Sequence, residues 1–138
     1  MSETVRLTIP AKAEYLVLAR LVLTGIAMEV PMSEIALADL KLAVTEVCGN
    51  AVQHAYQEDP GVVRVAFQVE PEAIEVSVED EGSSAAVPDL GDESALEDGL
   101  LESGMGLAIV RAVMDEVAID EDPSAPGTVV RMRKSLSA

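Results

Sequence analysis

The segment that most constrains the fold is residues 37–56, which have the pattern of one long helix with two unlike faces. At ~3.6 residues per turn, apolar and polar side chains separate onto opposite sides. The apolar side consists of Leu37, Leu40, Val44, Val47, Ala51 and Ala55. The polar side carries Asp39, Glu46, Asn50 and Gln53, with His54 at its edge. The apolar side predicts a core contact, while the polar side fits either a solvated surface or the floor of a site.

Charge and composition narrow the possible partners. The 138 residues carry a formal charge of −16, which repels phosphate backbones and anionic lipid headgroups, so we expect no direct binding to nucleic acid or membrane. The length fits one domain, residues 1–138. Cys48 is the only cysteine, which predicts a buried thiol rather than an internal disulfide. We find no pattern of a signal peptide or membrane span and therefore expect a cytoplasmic protein.

The remaining segments predict an α+β two-layer sandwich, in which a mixed, mostly antiparallel sheet packs on helices. The predicted strands are 4–9, 62–69, 73–80, 116–120 and 128–133, and the second and third form a hairpin. Two further helices are predicted, one ending near Glu29 and one over 107–114 that is apolar almost all round and hence buried, and Ser33 is the expected N-cap of the long helix. The first has more apolar surface than one face needs, which fits core packing alone or a subunit contact as well.

Three features in sequence order point to nucleotide binding. Asp80 shares strand parity with Val76 and Val78, so its carboxylate faces inward, and Gly82 follows closely. Residues 83–103 are acidic and lack sustained periodicity, which predicts a mobile lid. Gly-Met-Gly at 104–106 then opens a helix, where free amides and the helix dipole favour phosphate. Each feature alone also fits an ordinary turn.

The motifs as a set resemble a known family. Glu46-Val-Cys-Gly-Asn50-Ala-Val-Gln-His54-Ala-Tyr, Asp80-Glu-Gly82, Ser103-Gly-Met-Gly-Leu107 and Gly127-Thr128 are similar, in that order, to the nucleotide-binding boxes of the GHKL (Bergerat-fold) ATPases. Within that superfamily the chain resembles the bacterial anti-sigma factor serine/threonine kinases of the RsbW and SpoIIAB type. The likeness runs from about residue 4 to residue 134.

The resemblance implies cofactors, ATP with Mg²⁺ and ADP as product, and a role for each matching residue. Asn50 would bind Mg²⁺ through its side-chain oxygen, and Glu46 would be the base for a Ser or Thr hydroxyl. Asp80 would accept a hydrogen bond from the adenine amino group, with Thr128 beside it and Gly82 leaving room for the base. The residues expected along the phosphates are Gly104, Met105, Gly106 and Leu107.

Two departures from the family pattern bear on catalysis. Ser84 replaces the second glycine of the Asp-x-Gly-x-Gly box, a change that several kinases of this type tolerate. Some members carry Arg or Lys shortly before the Gly-x-Gly, whereas here Glu102 stands in that neighbourhood and the lid has no cation. This leaves phosphate neutralisation to Mg²⁺, helix amides or a residue from elsewhere in the chain, which bears on the rate of transfer more than on binding.

The resemblance also implies partners: a sigma factor, an anti-anti-sigma antagonist with a STAS domain, and a second copy of the chain in a homodimer. The leading hypothesis is a kinase that sequesters the sigma factor and phosphorylates the antagonist. The alternative is an adenine-nucleotide-dependent anti-sigma binding module without transfer. A histidine-phosphorylating domain is disfavoured, because no dimerisation and phosphoacceptor helix accompanies it.

Overall fold

The computed structural model describes residues 2–55, 61–80, 101–121 and 127–137. Its strands are β1 (Glu3–Pro10), β2 (Val62–Val69), β3 (Ala73–Asp80), β4 (Glu116–Glu121) and β5 (Thr128–Ser135). Its α-helices are α1 (Leu16–Glu29), which follows a short 3₁₀ turn at Ala13–Tyr15, α2 (Glu34–Ala55) and α3 (Leu101–Val113). The predicted Gly82 and the lid up to residue 100 lie outside the described residues, as does the turn at 122–126.

The strands form one five-stranded sheet in the order β1-β2-β3-β5-β4. Every pairing among these strands is antiparallel, so the described sheet has no parallel pair. Helix α2 contacts β2, β3 and β5 as well as both other helices, which makes it the centre of the helical layer. The predicted α+β two-layer sandwich is confirmed.

The β2–β3 hairpin has the predicted bounds. In β2 the odd-numbered residues, among them Val63, Val65 and Phe67, are buried while their neighbours are half-buried or exposed. The amide of Glu70 donates to the carbonyl of Ala73 over 2.9 Å and closes the turn. Alternation of buried apolar residues with more exposed neighbours is what a half-buried strand requires, and it fixes which face of β2 meets the core.

Helix α2 begins at Glu34, directly after Ser33 and three residues before the amphipathic pattern of 37–56. Ser33 caps it as expected: the Ser33 hydroxyl accepts from the amide of Ala36 over 3.0 Å. The apolar face supplies much of the core, with Leu40 and Val44 fully buried. Cys48 is also buried, as predicted, and desolvation raises the pKa of its thiol to about 12.

The prediction for α3 was wrong in two respects. The helix does not start after Gly106, because residues from Leu101 onward are already helical, including three assigned to the lid. It is also not buried all round: Leu107 and Val110 are buried, whereas Ile109 is 39% exposed and Arg111 is exposed. An almost continuous apolar run cannot show which face of a helix is covered, because its periodicity is too weak.

The outer strand β1 is less buried than its alternation suggested. Ile9 is buried and Leu7 half-buried, but Val5 is 37% exposed. β1 is an edge strand and pairs with β2 alone, so its far end has less of the helical layer above it. None of the helices in the described ranges is long and apolar enough to span a membrane.

Candidate functional site

Glu46 and Asn50 lie one turn apart on α2, and both are half-buried. The spacing of four residues places them one above the other on the same helix face. That face is turned toward α3, because an ideal Cβ placed on Gly106 would stand 2.5 Å from Oε2 of Glu46. The polar strip is therefore partly an inter-helix surface, not a fully solvated one.

Asn50 has a buried polar atom that the described residues do not satisfy. Its Nδ2 is buried, and no residue in the described ranges gives it a hydrogen-bond partner. A buried amide nitrogen without a partner is costly, on the order of 1–3 kcal/mol, so it calls for an explanation such as an external ligand. A half-turn of the side-chain amide exchanges its nitrogen and oxygen, so the same position can present an acceptor instead.

The Asn50 side chain fits a Mg²⁺ bound together with nucleotide phosphates better than a metal held by the protein alone. The described residues contain no group of three or more His, Cys, Asp or Glu side chains placed to hold a metal ion. Mg²⁺ commonly takes one or two protein oxygens and completes its shell with phosphate and water. The Asn50 amide oxygen is a donor of that kind, and the Glu46 carboxylate one turn away remains available as a proton acceptor.

At the end of β3, Asp80 and Thr128 stand directly opposite each other in the β3–β5 register. Asp80 also pairs with Val63 on β2, so it sits between two neighbouring strands. Thr128 is buried at 5% exposure and Asp80 is half-buried, which matches the inward parity predicted for both. Gly127, just before Thr128, has a φ of 110°, a conformation that glycine adopts without strain.

The remaining predicted residues lie along α3. Gly104 and Met105 are within the helix, Gly106 is buried beside Glu46, and Leu107 is buried at 4% exposure. Residues 101–103 are already helical before the Gly-Met-Gly sequence. In this structure that sequence therefore lies within the described helix and does not precede it. The side chain of His54 is outside the described residues.

The structure brings the predicted residues together as two pairs, Glu46 with Gly106 and Asp80 with Thr128. Helix α2 contacts both α3 and β3, so the two pairs lie on elements that pack against each other. Together these elements carry the Glu46 carboxylate at an inter-helix surface, the Asn50 amide nitrogen without a described partner, and the inward pair of Asp80 and Thr128 on the sheet. The arrangement can offer oxygen ligands to a cation and an acceptor for a proton.

Sequence reasoning missed Lys134, which holds the helices in place. Its Nζ donates to the carbonyl of Val113 over 2.7 Å and lies 2.9 Å from Oδ2 of Asp39. The lysine is buried at 6% exposure, so a cation closes the C-terminal end of α3 and ties it to α2. Lys134 follows the apolar Met132 by two residues, so strand alternation could have shown that it points inward. The predicted strand, however, ended at Arg133.

Comparison with known proteins identifies the family. Residues 9–134 match the family described as the histidine kinase-like ATPase domain. The chain belongs to the histidine kinase-like ATPase family. Within it, the chain is similar to the serine-protein kinase RsbW of Bacillus subtilis (strain 168), with 38% identity covering 99% of this chain and 88% of that one. The RsbW of Bacillus licheniformis is 42% identical over 93% of this chain and 82% of its own.

At this identity and coverage, the chain is a member of the RsbW-type serine-protein kinases within the ATPase family. Solved structures agree on the fold. The RsbU and RsbW domains of a Mycobacterium tuberculosis protein match with a TM-score of 0.72 at 23% identity, over 97% of this chain and 32% of that one. A chain of the SiaB–SiaC complex from Pseudomonas aeruginosa matches with a TM-score of 0.66 at 15% identity, over 95% of this chain and 89% of that one.

Proposed function

We propose that this RsbW-type chain is an ATP-dependent serine/threonine kinase that binds a sigma factor and phosphorylates an anti-anti-sigma antagonist with a STAS domain. The observation that carries the proposal is the polar face of α2, where Glu46 fits against a glycine of α3 and the buried Nδ2 of Asn50 has no partner among the described residues. A surface helix with no ligand has no need of either feature. Family membership supplies the nucleotide chemistry that such a face would serve.

Asp80 and Thr128 would hold the adenine, since an inward carboxylate accepts a hydrogen bond from the exocyclic amino group. We expect ATP and ADP to bind better than GTP, because guanine presents a carbonyl oxygen where adenine has its amino group. A site built around a buried polar partner can discriminate by up to ~10⁴-fold. Thr128, buried directly across from Asp80, would support the same edge of the base.

The Asn50 side-chain oxygen would hold Mg²⁺ with the phosphates. When bound, Mg²⁺ supplies positive charge that offsets the negative charge of the transferred phosphoryl group. The Glu46 carboxylate would accept the proton of the substrate hydroxyl as that oxygen forms its bond to the γ-phosphorus. The bond from the γ-phosphorus to the bridging oxygen breaks, and ADP leaves with that electron pair. Gly104 would offer a helix-start amide to the phosphates.

Charge supports a protein partner with basic surfaces. At −16, the chain would attract the DNA-facing surfaces of a sigma factor, and complementary fields mainly raise the association rate. Sigma factors act on transcription inside the cell, so the same proposal places this chain in the cytoplasm.

Helix α1 provides a surface for the proposed homodimer. Val17, Leu21 and Met28 are 52%, 57% and 80% exposed, and Leu18 adds 37% on an adjoining strip of the helix. Their spacing places them along one stripe of α1, directed away from the core residues Ala19, Leu23 and Ile26. Thr24 lies between Leu21 and Met28 on the same side, and exposed apolar side chains grouped in this way suit a contact surface.

The decisive experiment combines purified protein, Mg²⁺ and ATP labelled on the γ-phosphate with a STAS-domain antagonist. We expect label to move to a Ser or Thr of the antagonist, and mass spectrometry would locate it. Size-exclusion chromatography with light scattering would report the dimer in the same samples. A protein that binds Mg-ATP and a sigma factor yet never labels the antagonist would instead be a nucleotide-dependent binding module.

A further inference from the structure

Gly106 stands at a position where glycine is unfavourable for the helix. Inside a helix glycine is less stable than alanine by about 1 kcal/mol, and Gly106 is a buried residue of α3. Residues 101–105 are already helical before it, so its amide lies inside the described helix. The absence of a side chain must therefore serve the surroundings of this residue.

The surroundings are the side chain of Glu46. An ideal Cβ on Gly106 would lie 2.5 Å from Oε2, 3.4 Å from Cδ and 3.7 Å from Cβ of Glu46. All three nearest atoms belong to that one residue, so the space that a methyl group would fill is the space of the carboxylate. Gly49 differs, since a Cβ there would meet a single atom, Cδ1 of Leu16, at an ordinary 3.9 Å.

We propose that Gly106 is a positioning residue for the Glu46 carboxylate: its missing side chain lets α3 approach α2 closely enough to seat the base. This inference rests on the proposed function, in which Glu46 accepts the proton of the substrate hydroxyl. The role differs from contact with phosphate, because it acts through the side chain of Glu46 on the neighbouring helix.

The contact between Gly106 and Glu46 predicts that Gly106→Ala affects catalysis and not folding. The clashing atom is the end of a flexible side chain, so Gly106→Ala can be accommodated by moving the carboxylate without moving the backbone. Oε2 must retreat by roughly 1 Å to reach ordinary contact distance. A misplacement of about 1 Å in a reacting group can cost ~10²-fold in rate. The helix itself gains from alanine, so thermal stability is retained or raised.

The experiment compares Gly106→Ala with Gly49→Ala, each made in the wild-type and the Glu46→Ala backgrounds. Melting temperature, nucleotide affinity by calorimetry, and kcat and KM for transfer to the antagonist are measured for all variants. We expect Gly106→Ala to keep its melting temperature, to bind ATP within ~3-fold of wild type and to lose kcat by ~10²-fold. Gly49→Ala, which also replaces a helical glycine, should keep kcat.

In the Glu46→Ala background, Gly106→Ala should cause no further loss, because the carboxylate that it displaces is gone. An unchanged kcat in Gly106→Ala would overturn the inference. So would an equal loss of kcat in both backgrounds, or a loss of ATP affinity without a loss of kcat, which would indicate phosphate contact. If wild type itself transfers no phosphate, the proposed function fails and the role of Gly106 fails with it; an active wild type with an active Gly106→Ala removes the inference alone.

Discussion

The polar side chains in the two halves of α2 differ in their contacts. In the first half, the Ser33 hydroxyl caps the helix and Asp39 pairs with the buried Lys134. In the second half, the Glu46 carboxylate lies against a glycine, and the amide nitrogen of Asn50 has no partner in the part of the chain that the structure describes. The polar groups of the first half stabilise the fold, whereas those of the second half are available to a ligand. Removing polar groups should therefore cost stability in the first half and function in the second.

The largest effect is expected for Glu46→Ala. Loss of the base should lower phosphoryl transfer by about 10²–10⁴-fold while nucleotide affinity stays within a few fold. Transfer assays and calorimetry on the same preparation would test both. Glu34→Ala is the matched control, since Glu34 is exposed in the first turn of the same helix, and it should transfer at the wild-type rate. Full activity in Glu46→Ala would remove Glu46 from the mechanism.

Asn50→Ala should weaken binding of Mg-ATP by about 10–100-fold, the size expected for one lost charged interaction. It should leave the free energy of unfolding unchanged or raise it by up to about 1–3 kcal/mol, because the buried amide nitrogen forms no hydrogen bond with the described residues. Calorimetric titration with ATP in Mg²⁺ and in EDTA provides the test. The substitution should matter in Mg²⁺ and have little effect in EDTA. Equal losses in both would argue against a metal ligand.

Lys134→Ala should lower the free energy of unfolding by about 2 kcal/mol, since it leaves Asp39 and the carbonyl of Val113 without their cation. The control is Arg131→Ala on the same strand, whose ion pair with Asp120 is about half exposed, at 51% and 53%. Such exposed pairs contribute at most about 1 kcal/mol. Urea denaturation would measure both. An equal loss in the free energy of unfolding for both variants would show that burial does not make the Lys134 contact more stabilising than the exposed pair.

The smallest effect is expected for Ser33→Ala, which removes the cap of α2. We expect a loss of about 1 kcal/mol in stability. Ser33→Asp should restore most of it, because a carboxylate can accept from the same amide and suits the helix start. Thermal melts would show the difference, and ATP affinity should not change in either variant. A cap-free variant with altered ATP affinity would mean that the two halves are coupled.

Much of the scaffold could be predicted from local patterns. The bounds of β2 and β3, the turn between them and the Ser33 cap all depend on neighbours in sequence, so periodicity and turn chemistry were sufficient. The family resemblance is confirmed by the match over residues 9–134. The roles assigned to Glu46, Asn50 and Asp80 remain predictions, although the register does place Asp80 opposite Thr128.

Sequence alone determined the two faces of α2, the inward parity of Asp80 and the order of the elements, because each follows from the repeat of the backbone along a single segment. Tertiary structure decided which side chains meet across segments. Lys134 contacts Asp39 and Val113, and Glu46 contacts Gly106, only when α3 packs on α2 and the sheet packs against both helices. A periodic pattern shows that a face will be covered, but the partner depends on how separate elements pack.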